Sequence, residues 1–485
     1  MKHTRVFVVM LAAVLAGMFP GTSAAMAEAK AKNAIPAGII EGFYGDPWTH
    51  ETRLDVLDFL KEVGMDAYIY APKDDPYHRE AWREPYPEEK FAELRELVGR
   101  AEKNKVKFIF AVSPGLSLHF TGEKGERDFE DLMAKLRTMH AIGVRSFAVF
   151  FDDIENKNGA AQAAFLNRAE RAIRSEKLSE DPLLTVPVEY FREDMTEDGE
   201  VRRYTRAFAE ALSKTVDVFY TGDGVAKAPL TAESAREVAA LYGRRMTIWW
   251  NYPVNDYLEG KWALGAVDGL APELSESVRG IYYNPMSNWR LSRLSLRTGA
   301  DYARDPRGYD AERSMEDALR KEFGSLAPAM CVVARHSRHM ENSWANIGSP
   351  DAPELQSATA AYWQNVEAGI YPGDEVSAIR KELEAIHGAV KELRDEKKGL
   401  DEPLRQALEP QLALLEQLAE SAQTVLLYAQ AREEGNAVIA KLLYRELEKT
   451  AKSFDKSDSA EPRISENALG AFVQRAVIQY KTMEK

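Results

Sequence analysis

Between Pro36 and about Pro285, short apolar runs alternate with amphipathic stretches of helical period, and the alternation recurs eight times. The predicted strands are Ala37–Glu41, Ala67–Tyr70, Val106–Val112, Ser146–Phe151, Leu183–Val188, Val216–Tyr220, Met246–Trp250 and Gly280–Tyr283. Predicted helices lie between them at His50–Val63, Pro87–Lys103, Asp128–Ile142, Ala160–Ser175, Arg203–Ser213 and Thr231–Tyr242, the first with Thr49 as its N-cap. The connection after the seventh strand is less regular, with Trp262–Gly269 followed by a short helix near Pro272–Val278. Eight such units in about 250 residues predict an α/β fold, the (β/α)8 barrel. The rival, an open doubly wound sheet, carries G-x-G-x-x-G after its first strand. Here that turn reads Gly42-Phe43-Tyr44-Gly45-Asp46-Pro47-Trp48, without the spacing.

The remainder of the chain is helix-forming. Glu312–Phe323 and Asp351–Glu367 read as single helices. From Asp374 onward Ile379, Leu383, Ile386, Val390 and Leu393 recur at three- and four-residue steps, as do Leu412, Leu415, Ala419, Ala422 and Leu426, then Ile439, Leu442, Leu443 and Leu447, and Leu469, Phe472, Val473 and Val477. This is the pattern of an antiparallel helical bundle. The expected division is a barrel over 36–310, a helical extension over 311–373 and a bundle over 374–485, with a polar loop at Ser453–Pro462. At the other end Lys2, His3 and Arg5 precede the apolar run Val6–Met18, and Ala25-Met26-Ala27 fits a cleavage site. Residues 1–27 therefore read as a signal peptide and 28–35 as a short linker, which predicts a secreted or periplasmic protein. No other stretch reaches the roughly 18 apolar residues of a transmembrane helix. A net charge of −14 argues against nucleic acid or an anionic membrane as partner. The single cysteine, Cys331, excludes an intrachain disulfide framework and reads as a buried thiol.

Chemistry in a barrel sits at the C-terminal strand ends. Those ends hold Glu41 and Gly42, then Lys73, Asp74 and Asp75, then Ser113, Asp152 and Asp153, Glu189 and Tyr190, Thr221 and Asp223, Asn251, and Asn284. The aromatic residues Tyr44, Trp48, Trp249, Trp250 and Tyr252 accompany them, and polar groups with stacking surfaces suit a sugar. Asp152-Asp153, directly after the buried run ending Phe150-Phe151, is the sharpest signal. Adjacent carboxylates are expected to split their pKa values, leaving one protonated and one ionised. Successive strand residues face opposite ways, so both serve one site only where the strand is ending. A helix cap is the alternative for such a pair. Lys73-Asp74-Asp75, stiffened by Pro72 and Pro76, reads equally as an active-face loop and as a solvated charge run. Asn251 and Asp256 beside Trp249 offer an amide and a carboxylate for hydroxyls. His336 and His339 form an H-x-x-H without the spacing of a zinc hydrolase and are expected on a solvated helix face. G-x-S-x-G at a strand end, Walker A and EF-hand patterns are absent.

Six stretches taken in order resemble the family 84 glycoside hydrolases, the β-N-acetylglucosaminidases that include the O-GlcNAcases. They are Gly42–Gly45, Tyr70–Arg79, Phe151–Ile154, Pro187–Tyr190, Trp249–Pro253 and Asn284–Met286. The resemblance implies retaining exo-hydrolysis in which the 2-acetamido group of the sugar is the nucleophile and an oxazoline is the intermediate, an exception to the two-carboxylate scheme. It assigns Asp152 to orienting the acetamido N–H and Asp153 to general acid and base. Tyr190 and Asn251 would position the acetamido group, and Asp256 would bind the outer hydroxyls. Gly42, Lys73 and Asn284 would fix the sugar, and Trp249 would line the acetyl pocket. No cofactor or metal is implied. The implied partners are N-acetylglucosamine-containing glycans or glycoproteins, with mucin, hyaluronan fragments and cell-wall material as alternative sources. Larger members carry a β-rich domain before the barrel, and none is expected here. Rival readings are a non-catalytic glycan-binding protein, a hyaluronan- or mucin-directed glycosidase of the same fold, and an interaction scaffold whose bundle also supports homo-oligomers.

Overall fold

A computed structural model describes residues 34–451 and 460–483. The signal-peptide and cleavage-site readings, and most of the Ser453–Pro462 loop, lie outside the described residues. Eight parallel strands close into a barrel: β1 (Ala37–Glu41), β2 (Ala67–Tyr70), β3 (Lys107–Val112), β4 (Ser146–Phe150), β5 (Leu184–Val186), β6 (Asp217–Tyr220), β7 (Met246–Trp250) and β8 (Val278–Tyr283), with β8 pairing back onto β1. Six of the helices in the connections stand where the periodicity predicts: α1 (His50–Val63), α2 (Glu88–Asn104), α3 (Gly122–Ala141, beginning before the predicted Asp128), α4 (Gly159–Ser175), α5 (Arg203–Ala211) and α6 (Ala232–Tyr242), and one unpredicted helical turn, Arg192–Met195, precedes α5. Thr49 caps α1, its side chain accepting from the Thr52 N–H. The predicted helix near Pro272–Val278 does not form. Only a 3-10 turn, Leu274–Glu276, stands there, and the seventh connection is otherwise irregular. The last strand is covered by α7 (Trp289–Arg304).

Strand parity decides which side chains reach the site. Ile40, Ile69, Ala71, Ala148, Phe150, Phe219 and Trp249 share the inner core of the barrel, with Tyr282 packed on it. Their neighbours Ile39, Tyr70, Val149, Phe151, Trp250 and Tyr283 belong to the layer between strands and helices. Because side chains alternate at period two, the residues two beyond the inner set continue its direction past the strand ends. Those residues are Gly42, Lys73, Asp152, Asn251 and Asn284. The same rule sends Glu41 outward, where it is fully buried and bonded by Arg53, Tyr68 and the Trp48 N–H.

Beyond the barrel come α8 (Ala311–Phe323) and α9 (Ala327–Arg335), then a small hairpin of Met340–Glu341 with Asn346–Ile347. The helices α10 (Pro353–Glu367), α11 (Gly373–Leu393), α12 (Glu402–Glu433), α13 (Ala437–Ala451) and α14 (Ala471–Met483) follow. The residues read as a periodic stripe are buried in α11 and α12, but on α13 only Leu447 is, while Ile439 and Leu442 of the same reading face outward and are exposed. Two expectations change here. His336 is not solvated: it is wholly buried, with its ring nitrogens 2.8 Å from Ser465 Oγ and 3.1 Å from Glu382 Oε1, so it joins α9 to the bundle. Cys331 is half-buried rather than buried. Among the described residues, no helix is long and apolar enough to cross a membrane.

Candidate active site

A cavity of about 420 Å³ opens at the C-terminal mouth of the barrel. All nine residues singled out from the sequence line it: Gly42, Lys73, Asp152, Asp153, Tyr190, Trp249, Asn251, Asp256 and Asn284. The strand-end residues Glu41, Asp75, Glu189 and Asp223 are instead structural. Asp75 accepts from Tyr70 and Tyr86, Glu189 from Thr205, and Asp223 from Arg192 and Ser234. Asp74 holds the Gly45 N–H at 2.5 Å. The charge run after β2 thus splits into three fates, of which only Lys73 faces the cavity.

The chain leaves β4 at Phe150, and the turn that follows places both carboxylates in one site. Asp152 points inward by parity. Asp153 would point away, but its φ of +55° lies in the left-handed region and turns it back. Asp152 is 5% exposed and its Oδ2 is held by the ammonium of Lys73, itself 2% exposed. The Oδ1 of Asp152 is buried and has no hydrogen-bond partner. Lys73 also faces the rings of Trp249, at 5.4 Å, and Tyr44, at 5.8 Å. Asp153 accepts from Tyr44 Oη at 2.7 Å and from Tyr190 Oη at 2.9 Å, one on each oxygen. Arg79 donates to Tyr44 Oη at 3.0 Å and to the Asp153 carbonyl at 3.3 Å.

At Asp153, charge compensation opposes the rise expected of one of two adjacent carboxylates. Burial pushes the Asp153 carboxyl up, but the Lys73 charge, the two tyrosine hydroxyls and Arg79 outweigh it and hold it below the ordinary carboxylate value. Asp152 cannot raise its neighbour as an isolated anion would, because Lys73 already balances it. Burial, followed by the Asp153 charge, raises both Tyr44 and Tyr190, so both stay hydroxyl donors. Burial also raises Asp256, whose Oδ2 accepts from the Tyr44 N–H at 2.8 Å.

Asn251 braces the floor. Its Oδ1 accepts from Trp249 Nε1 at 2.8 Å and Asn284 Nδ2 at 3.0 Å, and its Nδ2 donates to the Val225 carbonyl at 2.8 Å. Asn284 Oδ1 in turn accepts from the Gly42 N–H at 3.3 Å. Gly42 is required by this floor, since a Cβ there would stand 2.3 Å from Trp249 Cζ2. Gly42→Ala is expected to displace the indole and to destabilise by about 1–3 kcal/mol in urea melts.

Three contributors were not singled out from the sequence, and a fourth, Tyr44, was read only as a stacking surface and not as a donor to Asp153. Arg79 lies in a loop whose motif was noted without assigning that side chain a role. Tyr257 and Trp344 form the outer wall, with ring centroids 4.8 Å apart. Trp344 is 48% exposed and sits on the hairpin after α9. An indole in the polar turn Asn342-Ser343-Trp344 is the one local signal that pointed to it. No group of three or more His, Cys, Asp or Glu side chains among the described residues is placed to hold a metal ion.

A closed parallel barrel with paired carboxylates, aromatic walls and amides at its C-terminal mouth has the architecture of a glycoside hydrolase. Residues 37–335 match the family model described as beta-N-acetylglucosaminidase, and residues 354–473 match one described as hyaluronidase post-catalytic domain-like. The chain belongs to the β-N-acetylglucosaminidase family, glycoside hydrolase family 84. It is 32% identical over 289 residues to the protein O-GlcNAcases of Mus musculus and Rattus norvegicus, covering 58% of this chain and 31% of each relative. The chain thus spans about a third of the length of these curated relatives. Among solved structures, CpGH84B superposes with a TM-score of 0.85 at 38% identity, over 92% of this chain and 77% of that one. A variant of the Thermobaculum terrenum O-GlcNAc hydrolase superposes with a TM-score of 0.80 at 28% identity, over 92% of this chain and 95% of that one.

Proposed function

We propose that this protein is a retaining exo-β-N-acetylglucosaminidase in which the 2-acetamido group of the substrate is the nucleophile, acting on terminal β-linked N-acetylglucosamine, including that carried on proteins. The observation that carries the reading is the unpartnered, buried Oδ1 of Asp152, a lone acceptor on a cavity-lining carboxylate whose other oxygen is fixed by Lys73. An orphaned acceptor in that position calls for an N–H from the ligand. In the first step the acetamido oxygen, its N–H held by Asp152, bonds to the anomeric carbon. The glycosidic C–O bond breaks as Asp153 gives its proton to the leaving oxygen. In the second step Asp153 takes a proton from water, water oxygen bonds to the anomeric carbon, and the ring C–O bond of the oxazoline, whose nitrogen has kept its proton against Asp152, breaks to restore the acetamide. Two inversions at one carbon retain its configuration. A nucleophile built into the substrate has high effective molarity.

Tyr190 and Tyr44 would hand Asp153 from hydroxyl donors to the glycosidic oxygen as the sugar enters, while deeper burial in the filled cavity raises its proton affinity. Asp256 would receive the outer hydroxyls, and Asn251, with Trp249 and Asn284, would shape the acetyl pocket. Gly42 and Lys73 complete the sugar's surroundings. The basic, apolar and small-residue pattern of residues 1–27 supports export, so the substrate would be met outside the cytoplasm. The reading is tested with a thiazoline fused to the pyranose ring, a stable mimic of the oxazoline. It should compete with substrate and bind at least about 100-fold tighter than N-acetylglucosamine itself. Binding no tighter than the free sugar would exclude the acetamido nucleophile.

A further inference from the structure

The rim of the cavity is not made by the barrel alone. Asp256 and Tyr257 lie in the irregular segment after β7, and Trp344 lies on the hairpin after α9. One buried ion pair joins these two elements. Lys261 Nζ is 2.7 Å from Asp351 Oδ2, with side-chain exposures of 2% and 0%. We propose that Lys261 and Asp351 are positioning residues for the sugar-binding rim, locking the Asp256 turn and the Trp344 hairpin to each other and to the C-terminal helices. The proposal rests on the reading above, in which Asp256 faces the sugar.

On one side the segment is a stack of turns. The Leu258 N–H donates to the Asn255 carbonyl and the Lys261 N–H to the Leu258 carbonyl, both at 2.9 Å, while Asn255 Nδ2 reaches the Lys261 carbonyl at 3.0 Å. Asp256 therefore sits inside a frame that begins at Asn255 and closes at Lys261. On the other side Asp351 Oδ1 accepts from the backbone N–H groups of Arg338, at 2.6 Å, and His339, at 2.9 Å, where the hairpin begins. The far strand of that hairpin is tied to the loop after β6 by the Asn346 N–H on the Ala226 carbonyl, 2.9 Å.

The bundle grips the same turn. The Gly260 carbonyl accepts from Gln411 Nε2 at 2.8 Å and from the Arg463 N–H at 2.9 Å, and Lys261 also reaches Glu466 Oε2 at 3.4 Å. The approach is so close that a Cβ on Gly260 would stand 1.8 Å from the Glu461 carbonyl oxygen. A buried ion pair adds little net stability over a well-packed apolar pair, but it fixes direction. Asp351, with the ammonium on one oxygen and two backbone donors on the other, has no freedom to drift.

The test is the double variant Lys261→Met/Asp351→Asn, which leaves no unpaired buried charge and keeps an acceptor for Arg338 and His339. With 4-nitrophenyl N-acetyl-β-glucosaminide its KM should rise about 10-fold or more while kcat changes less than about 3-fold, the signature of lost uniform binding. The pH profile of kcat should not move. The ligand-free proteins are also labelled with 5-fluorotryptophan, the Trp344 resonance being assigned through Trp344→Phe. That resonance should shift or broaden in the double variant. An unmoved Trp344 resonance or an unchanged KM overturns the proposal. A double variant that fails to fold also overturns it, because the pair would then be holding the fold and not the rim. If wild type turns over no aryl glycoside, the functional reading fails, and the fluorine signal alone decides the rim.

Discussion

Asp153→Asn is expected to lower kcat/KM by about 100- to 10,000-fold on N-acetylglucosaminides with poor leaving groups, the range of general acid catalysis, and to change it little on 2,4-dinitrophenyl glycosides. Asparagine tolerates the left-handed backbone better than most residues, so the substitution removes the proton without forcing the turn at φ +55°. The pH dependence follows from the direction of the shift. In the proposed mechanism the acid must be protonated, and in the free site Asp153 is held below the ordinary carboxylate range. For poor leaving groups kcat/KM should therefore fall as pH rises from the acid side. The corresponding limb in kcat, which reports the filled site, should lie at higher pH. Asp153→Asn should abolish that limb. Stopped kinetics across a leaving-group series checks all three points. Equal losses on good and poor leaving groups would remove Asp153 from the acid role.

Asp152→Asn is expected to behave differently, with loss on the order of 100- to 1,000-fold for every leaving group, the scale of removing one oriented transition-state hydrogen bond. The amide would turn its NH2 or its carbonyl toward the acetamido group without the charge that stabilises a positive oxazolinium. It would also leave the Lys73 ammonium buried without its counter-ion. Loss of that pair lowers stability as well, so the kinetics are compared at temperatures where both proteins are folded by circular dichroism. A variant that loses rate only on poor leaving groups would reassign Asp152 to proton transfer.

The barrel was legible because each strand and helix carries its own period. The site was legible because those strands end in residues whose chemistry stands out from an apolar run. What escaped was everything set by partners far along the chain. Nothing local says that Lys73 reaches across 79 positions to balance Asp152, and without it the adjacent carboxylates suggested a raised proton affinity where a lowered one occurs. His336 looked solvated because its partners, Glu382 and Ser465, lie in the bundle. The short helix predicted near Pro272 gave way to a 3-10 turn, with the chain just before it tied to the loop after β6 through the Leu230–Leu270 bridge. Tyr257 and Trp344 come together from either side of β8, and periodicity carries no information about such a meeting.

The tie between the Asp256 turn and residues 338–351, 411 and 463 has a consequence for the order of events in synthesis. Chains emerge N-terminus first, and domains fold as they appear. A barrel released up to Tyr283 already carries Asp152 and Asp153 at its mouth, but the turn that presents Asp256 gains its tie to Asp351 only later, and those to Gln411 and Arg463 later still. The carboxylates are in place early and the rim of the cavity is completed last, so a nascent or truncated chain would display the paired carboxylates without a finished cavity.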